Sequence, residues 1–333
     1  MDSFIRQSYV NSVDYLCPFP AWAARIPAIA EQTHIRSRAE AVPPHAYFVG
    51  SAIFHYLGPS FAVLLFAQVE PLGVAWLRIA SAAAVFAAWR RPWAGLRRLD
   101  RGGRLLIGGL AVVFAVMNAC FYLAIDRLPL AMVAAVEFIG PVVLALAGAR
   151  VPRNLVAVAA AAGGVYLLTH VRVEGEPVGV AFALANAALF TAYIALAHRV
   201  SRRQGLGGVD GLAAAMVLAF VVVSPIGLGD AASAFANPVA LAAGAGVGIS
   251  SSVIPYVFDQ LAMARLPRAT YALFVALLPA TATVIGIVVL RQVPGLVDVA
   301  GIALVMLAVA LHRPEPVRNA ASDRELRSEL KAA

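Results

Sequence analysis

Two ionisable side chains lie inside long apolar stretches of the sequence. Glu137 follows the apolar run that starts at Leu130, and Arg78 lies within the run Pro71–Trp89. An ionisable group inside a membrane span costs at least about 2.5 kcal/mol on insertion scales, so each of these residues calls for a functional reason. We predict that Glu137 binds a substrate amine or carries a proton. Arg78 then receives a substrate carboxylate or holds Glu137 in place.

Their depth in the membrane supports a connection between the two. Glu137 and Arg78 each lie seven residues into their stretch. At ~1.5 Å per residue both are about 10 Å below the same membrane face. The alternative is a buried ion pair that only fixes helix packing, because such pairs add little net stability.

Four further polar side chains extend the predicted site. His55 and Asn186 lie near the middle of their apolar stretches, and a histidine there can titrate near neutral pH. Asn118 and Tyr122 are four residues apart and share one helix face. These four residues predict a polar lining for a substrate cavity. Ordinary hydrogen bonds between packed helices are the alternative.

The composition indicates that these residues belong to a membrane protein. The 333 residues are 61% hydrophobic and only 13% charged, whereas soluble domains contain roughly 25% charged residues. Segments of about 20 apolar residues are long enough to cross a bilayer. Ten segments qualify: Ala46–Phe66, Pro71–Trp89, Leu105–Ile125, Leu130–Ala149, Leu155–Thr169, Val178–Ala197, Gly211–Gly229, Val239–Met263, Ala269–Leu290 and Leu296–Leu311. The sequence therefore predicts an all-α polytopic membrane protein, embedded in the lipid bilayer, with ten transmembrane helices.

The positions of the basic residues predict the orientation. With the N-terminus inside, 22 of the 26 Lys and Arg residues fall in the inner loops and tails. Cytoplasmic loops carry this excess in membrane proteins. We therefore expect a protein of the cell inner (plasma) membrane with both termini in the cytoplasm.

An internal repeat divides the membrane part into two halves. The segment Leu123–Ala131 matches Leu261–Ala269 at an offset of 138 residues, and Pro141 and Pro279 share that offset. Five spans separate the copies, so the two halves have opposite orientation, which is typical of transporters with inverted repeats. The predicted domains are a tail over 1–45, five-helix repeats over 46–170 and 178–312 around a central cavity, and a tail over 313–333. Pro141 and Pro279 are expected to kink their helices, for gating or for packing alone.

Two motifs resemble the EamA-type exporters of the drug/metabolite transporter superfamily. The stretch Leu130–Pro141 contains Glu-Phe-Ile-Gly-Pro, and Ile254–Asp259 reads Ile-Pro-Tyr-Val-Phe-Asp. Both are similar to the branch that exports threonine and homoserine. The resemblance implies a basket of ten helices with a cavity that opens alternately to either side. It also places Asp259, near the inner end of its span, among the site residues.

The sequence departs from the pattern of that branch in its second half. Leu278-Pro279 stands where the family usually has Glu-Pro, and Arg291-Gln292 stands where it often has Gly-Glu. The departures put the branch's substrate and coupling mode in question. The expected function is export of amino acids or related small metabolites by alternating access, with proton coupling left open.

Other function classes find less support. The chain has no P-loop, nucleophile elbow or metal-ligand spacing, so we expect no enzyme activity, no cofactor and no metal site. The arginines lie in short loops rather than along one helical stripe, which disfavours a nucleic-acid partner. The alternatives left open are efflux of another solute, such as a nucleobase or a drug-like compound, and less favourably a membrane enzyme acting on lipids. The expected partner is a small-molecule substrate, and a homodimer is left open.

Overall fold

The computed structural model describes residues 43–140, 152–173, 176–201, 208–263 and 277–311. Within these residues the chain is helical, without β-strands, which confirms the predicted all-α class. Pro141, the C-terminal tail and nearly all of the N-terminal tail lie outside the described residues.

The main helices are numbered in chain order. They are α1 (Pro44–Leu65), α2 (Pro71–Arg90), α3 (Arg101–Ile125), α4 (Leu130–Glu137), α5 (Pro152–Val173), α6 (Pro177–Ser201), α7 (Gly208–Gly227), α8, α9 (Leu278–Leu290) and α10 (Leu296–Leu311). Helix α8 has three parts, which are Pro238–Gly248, a π-helical turn Ile249–Val253 and Ile254–Met263. Two short helices, Trp93–Arg98 and Ala232–Phe235, precede α3 and α8.

Prolines set the starts of many helices. Helices α1, α2, α5, α6 and α8 each begin at a proline, where the missing N–H group costs no hydrogen bond. Asn237 also caps α8, since its side-chain oxygen accepts from the backbone N–H groups of Val239 and Ala240. Pro71, Pro152 and Pro238 thus mark the starts of α2, α5 and α8.

Six of these helices are long and apolar enough to cross a membrane, as judged by length and composition. They match six of the ten predicted segments and are α1, α2, α3, α6, α7 and α8. The apolar parts of α5, α9 and α10 are shorter, and α4 is described only at its start. A count of ten spans stays a prediction.

The helices pack in a pattern of related pairs. Helix α3 packs on α6 and α7, and α8 packs on α1 and α2. Helix α4 packs on α6, and α9 on α1, while α2–α7, α4–α9 and α5–α10 are further pairs. These pairs are related by an exchange of each helix with the helix five positions along the chain, so that α1 exchanges with α6 and α3 with α8. The pair α3–α6 then becomes α8–α1, and the other pairs named here are converted into one another or into themselves in the same way.

The outer surface of the described helices carries many apolar side chains. Leu105, Val239 and Val288 are 70%, 72% and 72% exposed, and others like them occur on most helices. Such a surface suits lipid rather than water. Inside, small residues bring the helices close. A Cβ atom on Gly164 of α5 would lie 2.8 Å from the carbonyl oxygen of Gly301 on α10.

Candidate functional site

The candidate site is built around the guanidinium of Arg78 on α2. Arg78 is only 9% exposed. Its Nε donates to Ser252 Oγ at 3.1 Å, and its Nη2 donates to the backbone carbonyl oxygen of Ser251 at 3.3 Å. Both partners lie on α8, so the second half of the chain fixes the direction of a charge carried by the first half.

The local structure of α8 explains how it can bind Arg78. Ser251 and Ser252 lie in the π-helical turn, which interrupts the regular hydrogen-bond ladder and leaves carbonyls available to other donors. One turn earlier, Gly248 lies so close to α2 that a Cβ atom there would be 3.0 Å from the Cα of Arg78. Gly244 and Gly248, four residues apart on α8, thus pack closely on α2 and hold the π-helical turn beside Arg78.

Tyr122 and Asn118 reach the cluster from α3. The Cζ of Arg78 lies 5.7 Å from the centroid of the Tyr122 ring, a cation–π distance. The hydroxyl of Tyr122 lies beside Arg78 and Ser251 but forms no hydrogen bond of good geometry. Asn118 is buried, and its Nδ2 donates to the Phe114 carbonyl oxygen of its own helix at 2.8 Å.

Glu137 lies at the end of α4 and is 8% exposed. It is within electrostatic reach of Arg78, but these two described residues form no ion pair. Asn186 of α6 lies beside its carboxylate. Gly140 permits this approach, because a Cβ atom there would be 2.7 Å from the Ala187 carbonyl oxygen. The opposite charges thus lie in one buried cluster without neutralising each other directly.

The first helix contributes His55 and Tyr56. His55 is half-buried and within electrostatic reach of Arg78, and its ring centroid lies 5.1 Å from that of Tyr56. Tyr56 is 1% exposed and interacts electrostatically with Glu137. Tyr56, Ser251 and Ser252 are not distinguished by their residue types, since tyrosines and serines are ordinary residues in membrane helices. A signal was available for the serines, which form the polar run Ser250–Ser252 inside an apolar span.

Four buried polar atoms in this cluster have no hydrogen-bond partner. They are the hydroxyl oxygens of Tyr56 and Tyr122 and both side-chain amide atoms of Asn186. More than nine in ten buried polar groups in proteins are paired. Four unpaired atoms around two buried charges are the arrangement expected of a site that binds a polar ligand.

Two of the predicted residues are less fully described. Asp259 lies in the last part of α8, and its side chain is outside the described residues. Pro279 is buried in the first turn of α9, where its carbonyl oxygen accepts from Thr283 Oγ1 at 2.8 Å. Neither residue has a described contact with the Arg78 cluster, and a role for them stays a prediction.

The residues Arg291-Gln292, which depart from the family pattern, connect α9 to α10. Arg291 adopts a left-handed backbone conformation with φ of 57°, where glycine would be unstrained. The Gln292 side-chain oxygen accepts from the Leu130 backbone N–H at 3.0 Å and so caps α4. A helix cap needs only an acceptor, so glutamine replaces glutamate here without removing a charge from the Arg78 cluster.

An apolar groove of about 460 Å³ opens between α1 and α8. Its walls include Phe54, Phe61, Leu64 and Val247, with Gln68 as one of its few polar residues. None of the predicted site residues lines it. Such a wall suits lipid chains better than a charged solute. Within the described part of the chain, no three His, Cys, Asp or Glu residues are grouped to hold a metal ion.

Comparisons with known proteins point to export. The model of the EamA-like transporter family matches residues 177–312. The threonine/homoserine exporter RhtA of Escherichia coli (strain K12) is 32% identical over 238 residues, which cover 71% of this chain and 79% of that protein. RhtA of Salmonella typhimurium (strain LT2) is 31% identical over the same shares. One crystal structure, with 20% identity and a TM-score of 0.53, covers 81% of this chain and 98% of its own and shares the fold.

Proposed function

The chain belongs to the EamA-like transporter family, and on that premise we propose that it exports a small α-amino acid of the threonine or homoserine type. It is a multi-pass inner-membrane exporter of small metabolites and not an enzyme. Under this proposal Arg78 and Glu137 form the two charged ends of the substrate site.

The observation that carries the proposal is the pair of opposite buried charges that do not form an ion pair. A zwitterionic amino acid has a carboxylate and an ammonium group on the same carbon. The guanidinium of Arg78 has five N–H donors, of which α8 engages two. The remaining donors suit a carboxylate, for which arginine has a matching fork geometry. The Glu137 carboxylate suits the ammonium group.

The helix packing supports alternating access between two inverted repeats. The set of packed pairs described above is unchanged when each helix is exchanged with the helix five positions along the chain, although among the described residues the α2–α3 pair has no counterpart of similar extent at α7–α8. Two five-helix units of opposite orientation would produce this pattern. We place the first unit over 46–170 and the second over 178–312, with both termini in the cytoplasm. Glu137 is then the group that either binds the ammonium or carries a coupled proton.

Counterflow in proteoliposomes preloaded with threonine tests the proposal. We expect uptake of labelled threonine with the wild-type protein, and a loss of at least about 100-fold in Glu137→Gln and Arg78→Gln, because each variant removes one charge that the zwitterion needs. Arg127→Gln, at the exposed end of α3, is the control and should retain uptake. Folding is checked by size-exclusion elution of each variant. Folded wild-type protein without threonine or homoserine flux would exclude this substrate class and favour another solute.

A further inference from the structure

Two polar side chains beside Glu137 are buried without hydrogen-bond partners. Asn186 on α6 is 0% exposed, and its amide lies beside the Glu137 carboxylate without forming a hydrogen bond of good geometry. Tyr56 on α1 is 1% exposed, and its hydroxyl is unpaired. They come from different helices and both interact with Glu137. Three of the four unpaired atoms thus belong to side chains that interact with one carboxylate, and the fourth, the Tyr122 hydroxyl, lies beside Arg78.

Several other buried polar side chains in the described part of the chain donate to backbone carbonyls. Ser60 Oγ donates to the Tyr56 carbonyl oxygen at 2.8 Å, and Ser51 Oγ donates to the Pro255 carbonyl oxygen at 3.3 Å. Asn118 Nδ2 donates to the Phe114 carbonyl oxygen. The helices thus provide acceptors for polar side chains, yet Asn186 and Tyr56 do not use them. A buried polar group without a partner is destabilising, so its retention points to a ligand.

The chemistry of these atoms specifies the ligand group. The Asn186 amide offers two N–H donors and a carbonyl acceptor, and the Tyr56 hydroxyl offers one donor and an acceptor. An ammonium group could satisfy only the acceptors, and a carboxylate would be repelled by Glu137. An aliphatic side chain would leave every atom unpaired. A hydroxyl group both donates and accepts, so it satisfies this pair beside a carboxylate.

We propose that Asn186 and Tyr56 form a hydroxyl-binding subsite, which selects amino acids that carry a side-chain hydroxyl over those of equal shape that lack it. The inference rests on the proposed function, which places the substrate ammonium at Glu137. Sites built to pair a substrate hydroxyl reject the analogue lacking it strongly, since their own polar groups are then left unpaired.

Competition by matched substrates tests the subsite. Threonine and valine have nearly the same shape, as do homoserine and norvaline, and only the first of each pair has a hydroxyl. In threonine counterflow we expect valine and norvaline to compete at least about tenfold less well than their hydroxylated partners. The variants Asn186→Leu and Tyr56→Phe should reduce the threonine-to-valine ratio towards one.

Thr191→Val is the matched control on α6. The Thr191 hydroxyl already donates to the Ala187 carbonyl oxygen at 2.8 Å, so its removal should leave the ratio unchanged. Tyr56→Phe removes a single oxygen atom and covers the case in which Asn186→Leu does not fold. Equal competition by threonine and valine against the wild-type protein would overturn the subsite but leave amino-acid export intact. Absence of threonine flux altogether would instead overturn the proposed function, and the subsite with it.

Discussion

The interface between α2 and α8 and the interface between α3 and α7 differ in what they bury. The first contains Arg78, Ser251 and Ser252, with Gly248 packed against the backbone of α2. The second buries apolar side chains, represented by Leu110 of α3 and Ala214 of α7, in one cluster. Exchanging each helix with the helix five positions along the chain converts one interface into the other.

This difference suggests different roles, binding for the α2–α8 interface and stability for the α3–α7 interface. A buried charge and an interrupted helix are destabilising, and under the proposed function the α2–α8 interface retains them for binding. The apolar side chains buried at the α3–α7 interface, such as Leu110 and Ala214, stabilise helix association through close van der Waals contact. Two interfaces with related positions can thus serve different purposes. Changes in the first should alter transport, and changes in the second should alter stability alone.

Among substitutions at these two interfaces that leave Arg78 itself in place, Gly248→Ala is expected to reduce transport the most. Its added Cβ atom would lie 3.0 Å from the Cα of Arg78 and closer still to the Arg78 carbonyl oxygen. Helix α8 must then move away from α2, and Arg78 loses its partners. We expect threonine counterflow to fall at least about tenfold, since transport sites tolerate little displacement.

Gly246→Ala is the matched control for that change. It lies two residues away on the same helix, and a Cβ atom there would meet nothing within 4 Å. Transport by this variant should equal wild type. Similar losses in both variants would mean that glycine is needed for α8 itself and not for its contact with α2.

A smaller effect is expected from Ser252→Ala, which removes the 3.1 Å hydrogen bond to Arg78 Nε. The Ser251 carbonyl remains as a second partner, so the guanidinium stays near its position but is less well oriented. We expect KM for threonine to rise about tenfold, because a hydrogen bond to a charged group contributes roughly 1.5 kcal/mol. Initial rates of counterflow over a range of threonine concentrations measure the change.

Two further variants identify the cause of that rise. Ser250→Ala removes a hydroxyl that donates to the Val247 carbonyl oxygen and not to Arg78, so KM should stay unchanged. Ser252→Thr keeps the hydroxyl and should restore most of the affinity. A KM that rises equally in Ser250→Ala and Ser252→Ala would assign the effect to the π-helical turn rather than to the bond with Arg78.

The comparison also shows how far the sequence predicts the site. Arg78 and Glu137 could be selected because ionisable groups are rare inside apolar spans, and their equal depth predicted that they lie near each other. They do lie in one cluster, although not as an ion pair. The π-helical turn could not be predicted, since it depends on tertiary contacts with α2 rather than on local residue preferences.

The fold was more predictable than the contacts within it. The predicted starts at Pro71, Leu155 and Val239 lie within three residues of the observed starts of α2, α5 and α8. The observed starts fall on prolines, because proline is favoured in the first helical turn. The resemblance also identified the family correctly. Tyr56 was missed since a tyrosine in an apolar span is common, and only its burial without a partner distinguishes it.

Leu110→Ala in the α3–α7 interface is expected to have the smallest effect on transport. Leu110 is 2% exposed and packs in the cluster that contains Ala214. Its truncation leaves a cavity that costs on the order of 2 kcal/mol, so the thermal midpoint in detergent should fall by several degrees. The KM for threonine and the threonine-to-valine ratio should not change. Val112→Ala on the same helix, where Val112 is 47% exposed, controls for the loss of a lipid-facing side chain and should barely alter the midpoint. A changed substrate preference in Leu110→Ala would mean that the apolar interface shapes the site, and the division between the two interfaces would then fail.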